Sequence, residues 1–174
     1  MTVVLDPGHG GRDPGAVGIG GLKEAEVNLL LAHMVKARLE PFYRILMTRM
    51  EDRTVSLAAR CNLANVEGAA LFVSLHCNAA ANVLARGAET YYVSLSAKPL
   101  AEAIQKGLVK LGQRDRKAKK NRFYVLRNTK MPAVLVEAAF ITNPEDAALL
   151  ASVDFLNRAA DVIAKAIREH MREG

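Results

Sequence analysis

The chain has 174 residues, 51% of them apolar and 24% charged, the size and balance of one globular domain with its own core. Its 2 cysteines exclude a disulfide framework and a cysteine zinc site, and no apolar run approaches the roughly 20 residues of a membrane span. A formal charge of +6 draws anionic partners over long range without choosing among nucleic acid, anionic lipid and acidic wall polymer.

The opening Met1–Asp6 lacks the basic start and long apolar stretch of a signal peptide. It reads as a cytoplasmic start or as the edge of a domain cut from a longer exported protein. Val3–Asp6 is a short apolar run stopped by Pro7-Gly8, which predicts a buried strand entering a turn. From Lys23 to Glu40 apolar residues (Val27, Leu30, Leu31, Met34, Leu39) recur at helical spacing, and Pro41 closes that helix. Arg44–Thr48 reads as a strand, Ser56–Val66 as a helix, and Leu71–Leu75 and Glu89–Val93 as strands. A helix from Ala97 to Leu111 would be capped by Ser96, with Pro99 tolerated in its first turn. Gln113–Arg122 is the most charged stretch and predicts an exposed loop. Phe123–Leu126 is a further apolar run. Ala133–Val136 shows no polar alternation, as expected of a strand covered on both faces. Asp154–Met171 predicts a last amphipathic helix. No repeat or linker divides the chain, so residues 1–174 read as a single domain. Its class is α/β, with a mostly parallel or mixed central sheet of about six strands flanked by helices.

Sheets of this kind carry their sites at the C-terminal ends of the strands. Just past Val3–Leu5 come Asp6, His9 and the run Gly10–Asp13; past Leu71–Leu75 come His76 and Asn78; past Ala133–Val136 comes Glu137. A carboxylate following a fully buried strand is costly unless it is paired, metal-bound or functional. Catalytic zinc takes three histidine or carboxylate ligands and leaves a fourth position for water. His9 and His76 are the candidate ligands, and Asp6 reads as an orienting residue. A third ligand would come from the first helix, where Glu24 and Glu26 lie about 200° apart around the axis, so only one can face the site. Spacing alone leaves the two tied.

Other readings fit less. Pro7–Gly15 lacks the lysine and hydroxyl residue of a phosphate-binding P-loop. A hydrolase built on Cys77 would need a histidine from another segment and would leave Glu24 and Glu137 unexplained. The cations of the 113–122 stretch, from Arg114 to Arg122, have only Phe123 and Tyr124 as aromatic company, too little for a single-strand binder. A solvated basic loop facing anionic wall polymer accounts for them better, with wall binding that weakens as salt rises, and a merely solvated loop accounts for them more simply still.

At these residues the chain resembles the zinc-dependent N-acetylmuramoyl-L-alanine amidases of bacterial cell-wall turnover and phage endolysins. Leu5-Asp6-Pro7-Gly8-His9-Gly10-Gly11 resembles the family's opening zinc motif, and Gly21–Glu24 with Val27-Asn28-Leu29 its glutamate-ligand segment. Thr48-Arg49 with Asp52, Leu57 and Arg60 matches the next block, and Ser74–Ala79 the second histidine block. Met131–Glu137, continued by Ile141-Thr142-Asn143, resembles the segment with the catalytic glutamate. Two departures stand out: Ala138-Ala139 where a glycine is usual, and Cys77 where a small residue such as alanine is usual.

The resemblance implies one zinc ion held by His9, Glu24 and His76, with Glu24 chosen over Glu26, and Glu137 as the proton carrier. It implies hydrolysis of the amide joining the lactyl group of N-acetylmuramic acid to L-alanine. Asn78 or Arg49 would donate to the charge building on the scissile carbonyl oxygen, although Arg49 serves equally to hold the fold through Asp52. The expected partner is peptidoglycan, with no nucleic acid and no membrane span, for a monomer acting at the cell wall. Division-associated relatives carry a long insertion with a covering helix after the second zinc histidine. Here only Cys77–Ala88 separates His76 from the next strand, which leaves too little chain for such a helix.

Overall fold

The computed structural model describes residues 1–173. Their six strands are β1 (Thr2–Pro7), β2 (Arg44–Met47), β3 (Leu71–Asn78), β4 (Ala88–Tyr92), β5 (Asp115–Lys120) and β6 (Ala133–Phe140). They form one sheet in the order β2-β1-β3-β6-β4-β5. The first four in that order run parallel; β4 is antiparallel to β6, and β5 is parallel to β4. The sheet is therefore mixed, as the sequence allowed. Its helices are α1 (Glu24–Leu39), α2 (Leu57–Val66), α3 (Lys98–Lys110), α4 (Tyr124–Arg127), α5 (Pro144–Leu150) and α6 (Val153–Glu173).

Side chains alternate across a strand, and here the alternation divides a thick layer from a thin one. Val3 and Leu5 of β1, Leu71, Val73 and Leu75 of β3, and Val134 and Val136 of β6 pack under α1, α3 and α6. Each such aliphatic side chain, once buried, contributes about 1.5–3 kcal/mol. The intervening residues Val4, Phe72, Ala133 and Leu135 face the other side, where α2 brings Cys61 and Ala64 and α4 brings Val125 and Leu126. Ala133–Val136 is thus buried from both sides, which is why it carries no polar alternation. The short α2 and α4 cover less of the sheet than the long helices opposite. A cleft stays open where β1, β3 and β6 end, and Asp6, Ser74, His76 and Glu137 belong to that thin-side series.

Three local expectations differ from the structure. The Gln113–Arg122 segment is not a loop: Asp115–Lys120 is an edge strand along β4. Its lysines keep the unpaired outer edge from recruiting another chain, and Arg116 and Lys119 both pair with Glu89 of β4. Ser96 is not the cap of α3. A 3-10 turn, Leu95–Ala97, precedes that helix, and Ser94 caps the turn by accepting the Ala97 N–H at 3.3 Å. The short α5 went unpredicted; Asn143 caps it, accepting the N–H groups of Glu145 and Asp146, with Pro144 just inside. Among the described residues no helix is long and apolar enough to cross a membrane.

Candidate metal centre

The turn after β1 sets the first histidine. His9 lies in the left-handed region at φ 60°, inside a glycine run that tolerates such a turn. Its Nδ1 sits 2.7 Å from Asp13 Oδ2 and its Nε2 3.2 Å from Glu24 Oε1. Glu24 opens α1 and is buried. Its Oε1 meets His76 Nδ1 at 2.9 Å and accepts the Cys77 N–H at 3.2 Å, while Oε2 accepts the Ala16 N–H at 3.0 Å. The two imidazoles stand edge to face with centroids 5.0 Å apart. Glu26 points away to solvent and pairs with Lys23, so the turn of the helix brings Glu24 inward. One donor atom from each of His9, Glu24 and His76 lies within 4.8 Å of the others.

Close packing makes this convergence possible. A Cβ on Gly8 would stand 2.2 Å from His76 Cε1, so only glycine lets the imidazole lie against the β1 turn. Gly15, at φ +67°, likewise leaves room for Glu24 Oε2, 2.7 Å from where its Cβ would be. Although burial alone would raise it, the hydrogen bonds with His76 and His9 hold the Glu24 carboxyl well below the usual carboxylate range. The Glu24 contact in turn raises the His9 pKa against the effect of burial, with help from Asp13.

Glu137 neighbours His76 in the parallel β3–β6 register. Its Oε2 is buried without a hydrogen-bond partner among the described residues. Burial pushes this carboxyl well above its ordinary value, and the nearby charges of Glu24 and Glu89 push the same way. Glu24, His76 and Glu137 line one cleft of about 630 Å³, whose apolar wall includes Leu57, Phe123 and Tyr124. A deprotonated carboxylate with two imidazoles suits zinc. The Glu137 carboxyl borders the same cleft, beside the place a reacting water would occupy. The residues present fit the metal.

The remaining expected residues sort clearly. Arg49 is 1% exposed and its guanidinium donates to the carbonyls of Pro7, Gly8, Ala25 and Glu51. With four of its five N–H groups bonded to backbone it holds the β1 turn against α1, the second of its two readings, though through carbonyls and not through Asp52. Asp52 accepts the Gly11 N–H at 2.7 Å rather than anchoring Arg49. Asn78 does line the cleft, donating from Nδ2 to Glu89 at 2.6 Å and accepting the Ala79 N–H. Asp6 does not touch a ligand imidazole. It accepts from Thr48, Arg60 and Ser74 at 2.7 Å each, and Arg60 passes the constraint on by donating to the carbonyls of Pro7 and His9. This ion pair is nearly inaccessible on both sides. Arg60→Met should therefore lower unfolding stability by about 3–5 kcal/mol, because it strands a buried carboxylate. Denaturant titration of the two proteins checks this, and a loss under 1 kcal/mol would show that Asp6 finds other partners.

Two residues escaped the sequence reading. Asp13 orients His9 as outer carboxylates orient metal-binding imidazoles; its only signal was a carboxylate four positions on in the same turn. Glu89 stands opposite Glu137 across the β4–β6 pair. It accepts from Asn78, Tyr91, Arg116 and Lys119, and these donors hold its carboxyl below the usual range despite burial.

A family profile described as N-acetylmuramoyl-L-alanine amidase matches residues 3–169. The amidase LytC of Bacillus subtilis is 44% identical over 168 residues, covering 93% of this chain and 34% of that protein. The endolysin of Bacillus phage SPP1 is 43% identical, covering 96% of this chain and 65% of its own length. This chain thus spans about a third of the first relative and just under two thirds of the second. Among solved structures, the catalytic domain of CwlV, an N-acetylmuramoyl-L-alanine amidase from Bacillus (Paenibacillus) polymyxa var. colistinus, superimposes with a TM-score of 0.95. That match has 36% identity and covers 98% of both chains. A profile match across nearly the whole length, on a fold shared end to end, makes this chain a member of the N-acetylmuramoyl-L-alanine amidase family.

Proposed function

We propose that the chain is a zinc-dependent N-acetylmuramoyl-L-alanine amidase domain, cutting the amide between the lactyl group of N-acetylmuramic acid and L-alanine in peptidoglycan. The observation that carries this reading is the convergence of His9, Glu24 and His76 beside the unpartnered buried carboxylate of Glu137. The three would hold one zinc ion, which when bound acidifies water and polarises a carbonyl. Glu137 takes the proton of the attacking water at its carboxylate and gives it to the leaving nitrogen of L-alanine. Its raised proton affinity suits the second transfer, since an acid of ordinary carboxylate strength would hold its proton too loosely at neutral pH. Asn78 gives one amide hydrogen to Glu89 and keeps a second to offer the scissile carbonyl oxygen. The apolar wall formed by Leu57, Phe123 and Tyr124 would pack the substrate and keep bulk water from the reacting atoms.

The stretch from Ala79 to Gly87 between β3 and β4 contains no helix. That stretch offers no covering helix for a partner to displace, which supports an open site, and we take the domain to act at the wall as a monomer. Purified protein supplied with one equivalent of zinc should release stem peptides with a free L-alanine amine from purified peptidoglycan. Amine labelling followed by mass analysis reads the product. Absence of that product with zinc loaded would refute the amidase reading, and product formed only after adding a second protein would refute the open site.

A further inference from the structure

A second cavity, of about 490 Å³, is lined by the C-terminal end of α4, the turn that follows it and the start of β6. Its wall carries Arg122, Arg127 and Lys130 with the hydroxyls of Ser94 and Ser96, and it includes no acidic residue. These cations differ from those of β5, where Arg116, Lys117 and Lys119 are each paired with Glu89 or Asp115. Arg122, Arg127 and Lys130 are exposed and form no ion pair among the described residues. Arg122 precedes α4 and Arg127 ends it, while Lys130 lies on the turn that follows, and that turn is held in place. Asn65 of α2 donates to the Asn128 carbonyl and accepts the Lys130 N–H, while Thr129 and Asn128 return hydrogen bonds to the carbonyls of Val125 and Tyr124. Three unneutralised cations thus border one cavity, and the backbone that carries Lys130 is ordered before any ligand arrives.

We propose that this cavity binds phosphate and seats an anionic polyol-phosphate polymer of the cell wall beside the catalytic cleft. Arginine forks match tetrahedral oxyanions, and three spaced cations suit a chain with repeated phosphates better than one isolated anion. A nucleic acid fits less well, because the wall offers no aromatic side chain for a base to stack on. The placement is also telling. Tyr124 and Val125 of α4 line the catalytic cleft while Leu126 and Arg127 line the cavity, so one helical turn divides them. On β6, Ala133 borders the cavity and Glu137 the cleft, about 13 Å apart along a strand. A polymer anchored here would hold the glycan to which it is attached within reach of the cut. The phosphate site stands on charge and geometry; the choice of a wall polymer rests on the amidase reading.

Fluorescence anisotropy with labelled poly(glycerol phosphate) tests it on the intact chain. The combined variant Arg122→Gln, Arg127→Gln, Lys130→Gln should bind about tenfold more weakly, the order expected of three exposed ion contacts. A control with equal charge loss elsewhere, Lys106→Gln, Lys110→Gln, Arg172→Gln, should change binding by no more than about twofold. Should the triple variant melt below the parent, Arg127→Gln alone carries the comparison. Undiminished binding by the cavity variant, or an equal loss in the control, would overturn the site. Single-stranded oligonucleotide or polyglutamate of matched charge binding as tightly would overturn the ligand class. Because binding is read directly, a failure here is separable from a failure to cleave peptidoglycan.

Discussion

Glu137→Gln should retain zinc and fold while stem-peptide release falls by about 10²–10⁴-fold, the usual consequence of removing a general base. The substitution changes almost no volume and leaves the three metal donors alone, since these come from the β1 turn, the start of α1 and the end of β3. What it removes is a group able to carry a proton between water and the leaving amine. It also removes a destabilising feature. Glu137 Oε2 is buried without a partner, and burial with the fields of Glu24 and Glu89 disfavours its charged form. A neutral amide at that position escapes the penalty on the charge, so the variant should melt at the parent's temperature or above it, the pattern of a site that gives up stability for function. Turnover on purified peptidoglycan, zinc content and thermal melting together decide the matter. Turnover within a few-fold of the parent at equal zinc content would remove Glu137 from the chemistry.

Which parts of this molecule were legible from sequence follows from where the stabilising interactions lie. The strands β1, β3 and β6 announce themselves because Val3–Leu5, Leu71–Leu75 and Ala133–Val136 are buried, and the residues that follow them inherit positions at one sheet edge. β5 does not, because its residues Asp-Arg-Lys-Ala-Lys-Lys have little strand character of their own. Its conformation comes from pairing with β4 and from the buried carboxylate of Glu89, both contributed by residues far along the chain. Glu89 itself was missed for a geometric reason. The strand-end rule looks at C-terminal ends, whereas β4 runs against β6, and its N-terminal end therefore opens onto the site. Arg49 stayed between substrate donor and fold anchor because a sequence shows a charge but not the four carbonyls that occupy it. Spacing could not break the tie between Glu24 and Glu26, which the family resemblance decided, because the rotation of α1 is fixed by Val27, Leu31 and Val35 packing in the core.

His76→Ala should abolish stoichiometric zinc binding, and the graded losses around it test how the centre is built. With one imidazole gone the remaining donors are His9 and Glu24, one short of the three protein ligands a catalytic zinc site uses. Asp13→Ala keeps all three ligands but frees His9 Nδ1 from its 2.7 Å contact, and should weaken zinc about 10–100-fold. Gly8→Ala is the sharper test, because it changes no ligand and no charge. Its Cβ would lie 2.2–2.7 Å from three atoms of the His76 ring, so the imidazole must swing away from Glu24. Zinc affinity should then fall toward that of His76→Ala, and the core should be little affected because the clash is with a half-buried side chain at the cleft. Competition titration against a chelator measures each affinity, and circular dichroism confirms that the sheet persists. If Gly8→Ala bound zinc as tightly as the parent, the close seating of His76 on the β1 turn would not be what forms the site.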